Sequence, residues 1–93
     1  MKTQRESLFR ALADRQRREI LRLLRHGEQP AGQLADALAI APSTVSHHLA
    51  RLRDAELVRV RREGQQRIYA LNVSVVEDAL LQLAELLGPR EEA

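Results

Sequence analysis

The stretch Pro42-Ser43-Thr44-Val45-Ser46-His47-His48-Leu49-Ala50-Arg51-Leu52-Arg53-Asp54 decides the reading of this 93-residue chain. Val45, Leu49 and Leu52 recur at i, i+4 and i+7, which makes one narrow apolar stripe at helical period. Pro42 stands where the first helical position tolerates a missing N–H. With Val45 at 0° and an advance of about 100° per residue, Leu49 falls near 40° and Leu52 near about 340°, so the core lies close to 0°. Ser43, Thr44, His47, Ala50 and Arg51 then fall between about 140° and 260°, facing away from the core, with Ser46 on the flank near about 100°. His48, near about 300°, borders the core stripe and reads as structural.

Working outward, Pro30 opens a preceding helix with Ala31, Leu34, Ala35 and Leu38 on one face. Only Ala39-Ile40-Ala41 separates it from Pro42, the spacing of a helix-turn-helix. Further upstream, Gln4 to Ala13 reads as a short helix with Leu8, Phe9 and Leu12 on one side. Asp14 can cap a second helix, which carries Ile20, Leu23 and Leu24 and ends at His26-Gly27. Downstream, Leu57 to Arg61 and Arg67 to Leu71 are rich in β-formers and flank Glu63-Gly64-Gln65-Gln66, which reads as a hairpin. The last helix runs from Ser74, a candidate N-cap, to Leu87 and is stopped by Gly88-Pro89. Its residues Val76, Ala79, Leu80, Leu83, Ala84, Leu86 and Leu87 form an apolar face broader than one small core needs, so part of it is expected to meet a partner subunit. The expected fold is mostly α with a small β-hairpin, a winged helix-turn-helix of four helices, a hairpin and a fifth helix. No repeat or Gly/Ser linker divides the chain, so residues 1–93 read as one domain.

Inventory removes several function classes. There is no cysteine, which excludes disulfides, thiolate metal sites and thiol redox switches. No stretch approaches the roughly 20 apolar residues of a membrane span, and Met1 to Phe9 lacks the apolar run of a signal peptide. A cytoplasmic protein without membrane insertion is expected, associated with the nucleoid of a bacterium or archaeon. The net charge is only +2, but it is unevenly spread. Between Pro42 and Arg67 six arginines face three carboxylates, whereas Ile68 to Ala93 holds five carboxylates against Arg90 alone, so one region suits phosphate and the other does not.

A helix entering a groove ~12 Å wide needs short polar side chains on its leading turns and a cation further back. Ser43, Thr44, Ser46, His47 and Arg51 supply both. Arg61, Arg62 and Arg67 make the hairpin basic, and Gln65 and Gln66 at its turn complete the candidate DNA-binding set. Double-stranded DNA is therefore the expected partner. The alternative is a winged-helix protein-interaction module that does not bind DNA, and the arginines of the hairpin argue against it. RNA binding is disfavoured because only Phe9 and Tyr69 could stack on bases and both sit at core-like positions.

Catalysis has no foothold. Ser46 and His47 are helix neighbours with splayed side chains, and no nucleophile elbow, Gly-rich phosphate loop or carboxylate pair is visible. No cofactor is implied. His47 and His48 diverge by about 100° and cannot chelate one ion between them. Arg17, near about 60° from Ile20, reads as a paired structural arginine, and Tyr69 as packing between wing and core.

Two segments carry a family resemblance. Ala11-Leu12-Ala13-Asp14-Arg15-Gln16-Arg17-Arg18-Glu19-Ile20-Leu21 resembles the opening motif of the ArsR family, and Ser43 to Leu52 resembles its recognition helix. Asp54-Ala55-Glu56-Leu57-Val58, Arg61-Arg62-Glu63-Gly64 and Ile68-Tyr69-Ala70-Leu71 continue the likeness through the wing, so it covers nearly the whole chain. The resemblance implies a homodimer joined through the first and last helices, here by Leu8, Phe9, Leu12, Leu80, Leu83 and Leu87. It also implies a transcriptional repressor on an imperfect palindrome, released by a signal. The departures bear on that signal. Pro30 and Gly32 stand where the family's thiolates lie, and residues 49 to 93 contain no histidine for the zinc site of the last helix. No metal-sensing site is therefore expected, and the chain is most similar to the small cysteine-free autorepressors, in which release comes from a protein partner. Ala39 and Ala41 replace the glycine and capping serine usual in the turn.

Overall fold

The computed structural model describes residues 4–89, so Arg90, Glu91 and Glu92 of the charge pattern lie outside it. The described residues form α1 (Gln4–Leu12), α2 (Arg15–Leu24), β1 (Gln29–Pro30), α3 (Ala31–Leu38), α4 (Pro42–Asp54), β2 (Val58–Glu63), β3 (Gln66–Leu71) and α5 (Val73–Glu85). This is the winged helix-turn-helix order, with one strand more than the sequence suggested. β1 lies at an edge of the antiparallel sheet β1-β3-β2, with Gln29 opposite Tyr69 and Pro30 opposite Ile68. Two residues are too short to show a period, and proline, lacking an N–H, fits a strand only at such an edge.

The opening motif acquires a local explanation. Asp14 caps α2 by accepting from the Arg17 backbone N–H at 3.0 Å, a bond that holds its carboxyl below the usual range. The α2 arginines reach back over the C-terminal end of α1, whose last carbonyls have no partners within their own helix. Arg17 donates from Nε to Ala11 O at 2.7 Å and from Nη2 to Arg10 O at 3.1 Å, and Arg18 donates to Leu12 O at 2.8 Å. Their positive charge also complements the negative end of the α1 dipole.

The core gathers Leu8, Ile20, Leu24, Leu34, Val45, Leu49, Leu52, Leu57, Val58 and Tyr69 from all four leading helices and the wing. Leu8 is 1% exposed and so belongs to the protomer's own core, not to an outer face where the sequence placed it for dimerisation. Phe9 and Leu12 pack only partly against that core and remain half-buried.

The turn between α3 and α4 is strained as the substitutions suggest. Ala39 adopts φ 54° and ψ 44°, and Ala41 sits at the N-cap of α4 with no side-chain bond. After α4 the chain turns through Glu56 at φ 60°, with Leu57 N–H donating to Leu52 O at 2.9 Å, the bond that closes a helix with a left-handed residue. Asn72, not Ser74, is the N-cap of α5, and it makes no side-chain cap bond. Its Nδ2 donates instead to Glu56 O at 3.0 Å, and its backbone N–H to Leu57 O at 2.9 Å, tying the root of the wing to the exit of α4.

Candidate nucleic-acid interface

α4 presents two faces that match the angular reading. Val45, His48, Leu49 and Leu52 are buried, whereas Ser43, Thr44, Ser46, His47, Ala50 and Arg51 are exposed. The five reading residues therefore share the solvent side of one helix, anchored from beneath by leucines whose truncation would cost about 2–5 kcal/mol each. Arg51 and His47 also line a cleft of about 570 Å³ with Ser7, Arg10, Arg17 and Asp54, so α1 adds polar and cationic side chains beside the reading helix. The sequence did not single out Ser7 or Arg10 because their proximity to α4 depends on tertiary packing.

The wing brings the remaining candidates together at its tip. Glu63 pairs with Gln66 across the two-residue turn Gly64-Gln65, with Gly64 at φ 62°. Glycine first with positive φ is the pattern of a type II′ hairpin turn, whose twist suits the flanking strands. Arg62 pairs directly with Arg67 in the ladder, and Gln65, Gln66 and both arginines are exposed.

Arg61 behaves differently. Its Nη2 lies 2.5 Å from Glu28 Oε1 and its Nη1 3.2 Å from Glu63 Oε2. The bond to Arg61 holds the Glu28 carboxyl below its ordinary range, and Glu28 in turn raises the guanidinium's affinity for its proton. Both groups are solvent-exposed, so this is a screened surface pair. Arg61 is thus already partnered, while Arg62 and Arg67 form no ion pair among the described residues.

His48 is 7% exposed, the one buried polar residue of the described core. Its Nε2 lies 2.8 Å from Gln16 Oε1, and its Nδ1 3.5 Å from Arg17 Nη1. Burial is the largest influence on it and pushes the imidazole below its ordinary pKa. Tyr69 is buried at 5% in the packing role expected of it.

The last helix, α5, buries only Ala79. Val75 and Val76 pack partly against the core, and Leu80, Leu81, Leu83, Leu86 and Leu87 are exposed. Leu81 was missed in the sequence because it lies off the stripe that defines the helix's inner side. Pro30 and Gly32 open α3 with no donor atoms in their side chains. Among the described residues, no set of three His, Cys, Asp or Glu side chains is placed to hold a metal ion. No helix among them is long and apolar enough to cross a membrane.

Residues 14–60 match the family model for bacterial regulatory proteins of the arsR family. The chain belongs to the arsR family. This arsR-family chain is similar to the transcriptional repressor SdpR of Bacillus subtilis, with 39% identity over 74 residues covering 80% of this chain and 82% of that one. It is also similar to the arsenical resistance operon repressor of Staphylococcus aureus, with 36% identity over 77 residues covering 83% and 74%. Among solved structures it resembles the homodimeric winged helix-turn-helix DNA-binding domain of a possible ArsR-family regulator from Mycobacterium bovis. That likeness has a TM-score of 0.77 at 30% identity, over 97% of this chain and 85% of that one. The family is one of DNA-binding transcriptional regulators, not enzymes.

Proposed function

We propose that this chain is a sequence-specific, DNA-binding transcriptional repressor that works in the cytoplasm, at the nucleoid, as a homodimer on a near-palindromic operator. The observation that carries the reading is the exposed row Ser43, Thr44, Ser46, His47 and Arg51 on α4, together with the exposed Arg62 and Arg67 of the wing, which form no ion pair among the described residues. Short hydrogen-bonding groups lead that helix and cations stand behind and beside it, the division of labour between base edges and phosphates. A homodimer follows from the leucine face of α5, with Phe9 and Leu12 of α1 beside it, and from the homodimeric relative. Two-fold symmetry then sets half-sites one helical turn apart, ~10 to 10.5 bp, or a multiple of it.

Release from DNA works without a metal. Soft metals require thiolate, which the chain lacks, and among the described residues no set of three His, Asp or Glu side chains is placed to hold a metal ion. The remaining routes are control of the repressor's own concentration and capture by a protein partner that competes for the arginine-bearing face. Footprinting on enriched genomic fragments, repeated with stoichiometric Zn²⁺, arsenite or peroxide, tests the whole reading. A two-fold-symmetric footprint unchanged by the additives is expected. An asymmetric footprint would overturn the dimeric operator, and a change in affinity above about tenfold would reveal a metal or redox site.

A further inference from the structure

The guanidinium of Arg17 joins three helices. It starts on α2, binds the terminal carbonyls of α1 at Arg10 and Ala11, and reaches Nδ1 of His48 on α4. His48 is buried on the reverse of the helix whose outer side carries His47, and its other nitrogen returns to α2 at Gln16. We propose that Arg17 is a positioning residue for DNA reading, holding α4 at a fixed angle to α1 through the neutral imidazole of His48. The inference rests on the DNA-binding reading above. It adds a contact beneath the reading helix that links it to α1, on which Phe9 and Leu12 adjoin the dimer face.

The hydrogen bonds define the required tautomer. Arg17 can only donate, so Nδ1 of His48 must accept; Nε2 therefore carries the proton and donates to Gln16 Oε1. A protonated His48 would turn an N–H toward the guanidinium and set two cations together. The charged groups facing the imidazole are Asp14 at the N-cap of α2, Arg17 of α2 and His47 of α4, with Arg10, Arg51 and Asp54 lining the adjoining cleft. Asp14 favours the cation from 3.9 Å, but burial outweighs it, and Arg17 and His47 act in the same direction as burial. The neutral, linked state thus persists above the ordinary histidine range of about 6.5 and is lost as pH falls through the lower midpoint of the folded protein.

The test compares operator binding by wild type, His48→Gln and Arg17→Lys, at equal fractions folded by circular dichroism. Glutamine keeps one acceptor and one donor but cannot be protonated. Relative to His48→Gln, wild-type affinity should fall about tenfold per pH unit below the midpoint that the His48 imidazole resonances report. His47 is common to both proteins, so its contribution cancels in the comparison. Arg17→Lys keeps the charge but loses the planar fork, and should lose at least about tenfold in operator affinity while binding random DNA as before. Parallel pH profiles overturn the inference, as does an Arg17→Lys protein with undiminished preference for the operator. Imidazole ¹⁵N shifts give an independent reading should a variant fail to fold: an Nε2–H tautomer at neutral pH supports the link, and an Nδ1–H tautomer overturns it. A wild type with no operator preference at any pH overturns the DNA reading itself.

Discussion

Arg62 and Arg67 stand directly opposite one another across the β2–β3 ladder, one pair from the tip of the wing. Like charges facing across a strand pair destabilise it, by about 0.2–1 kcal/mol, so the pair weakens the free protein and suits a bound polyanion. Removing either arginine should weaken binding to all DNA sequences alike and reduce the slope of log affinity against log salt by about 0.9 for each phosphate no longer neutralised. Anisotropy titrations across a salt series check this. A selective loss for the operator would instead place these side chains on base edges.

Arg61 should count for less than its neighbours, because Glu28 and Glu63 already hold it. Arg61→Ala is expected to leave a nearly unchanged salt slope. Glu28→Gln should release the guanidinium, tighten non-specific binding and steepen the slope by up to about one unit. The same salt series on random-sequence DNA decides the matter, and equal effects of Arg61→Ala and Arg62→Ala would show that DNA displaces Glu28.

His47→Ala and Ser43→Ala should act on discrimination. Each is expected to cost about 1–3 kcal/mol on the best site and far less on mismatched ones, if it removes a direct base contact. Selection of bound sequences from a randomised pool reads the effect position by position. Uniform weakening across the pool would assign these residues to the backbone.

Much of this was legible because the informative signals are local. The α4 stripe of Val45, Leu49 and Leu52 gives the helix, its solvent face and the structural place of His48, and the described bounds Pro42–Asp54 coincide with those read from the sequence. What escaped depends on distance along the chain. The Arg61–Glu28 pair spans 33 residues and joins two exposed side chains, so no periodicity announces it. Ser74 was favoured as the cap of α5 by residue type, but Asn72 occupies that position and spends its side chain on Glu56. Leu8 illustrates a different limit: an apolar period shows that a face is covered, not whether by the same protomer or by a second one.

The strained turn offers a stability test. Ala39 in the left-handed region costs roughly 1 kcal/mol relative to glycine, and the extended N-cap residue Ala41 forgoes a side-chain bond worth about 0.5–2 kcal/mol. Ala39→Gly and Ala41→Ser should each raise the midpoint of thermal unfolding. A lower midpoint for Ala39→Gly would mean that glycine's greater freedom in the unfolded chain outweighs the relieved strain.

The leucines of α5 should govern assembly, and Leu8 should not. Leu80, Leu83 and Leu87 are 61%, 44% and 77% exposed, so none of the described residues of the same chain covers them. Covering a leucine fully is worth about 1.5–3 kcal/mol, enough that a few such side chains across a two-fold interface hold a small domain as a dimer. Leu83→Glu places a carboxylate in that apolar contact without a partner and should yield monomers by sedimentation equilibrium. Those monomers should occupy half-sites weakly and lose the two-fold footprint. Leu8→Ala acts within the protomer: a core cavity costs about 2–5 kcal/mol at any protein concentration. The dependence of unfolding on concentration separates the two, because dimerisation stabilises the folded state by mass action. The wild-type and Leu8→Ala midpoints should rise with concentration, the latter from a lower base, and the Leu83→Glu midpoint should stay level. A Leu83→Glu protein that remains dimeric would remove the C-terminal half of α5 from the interface.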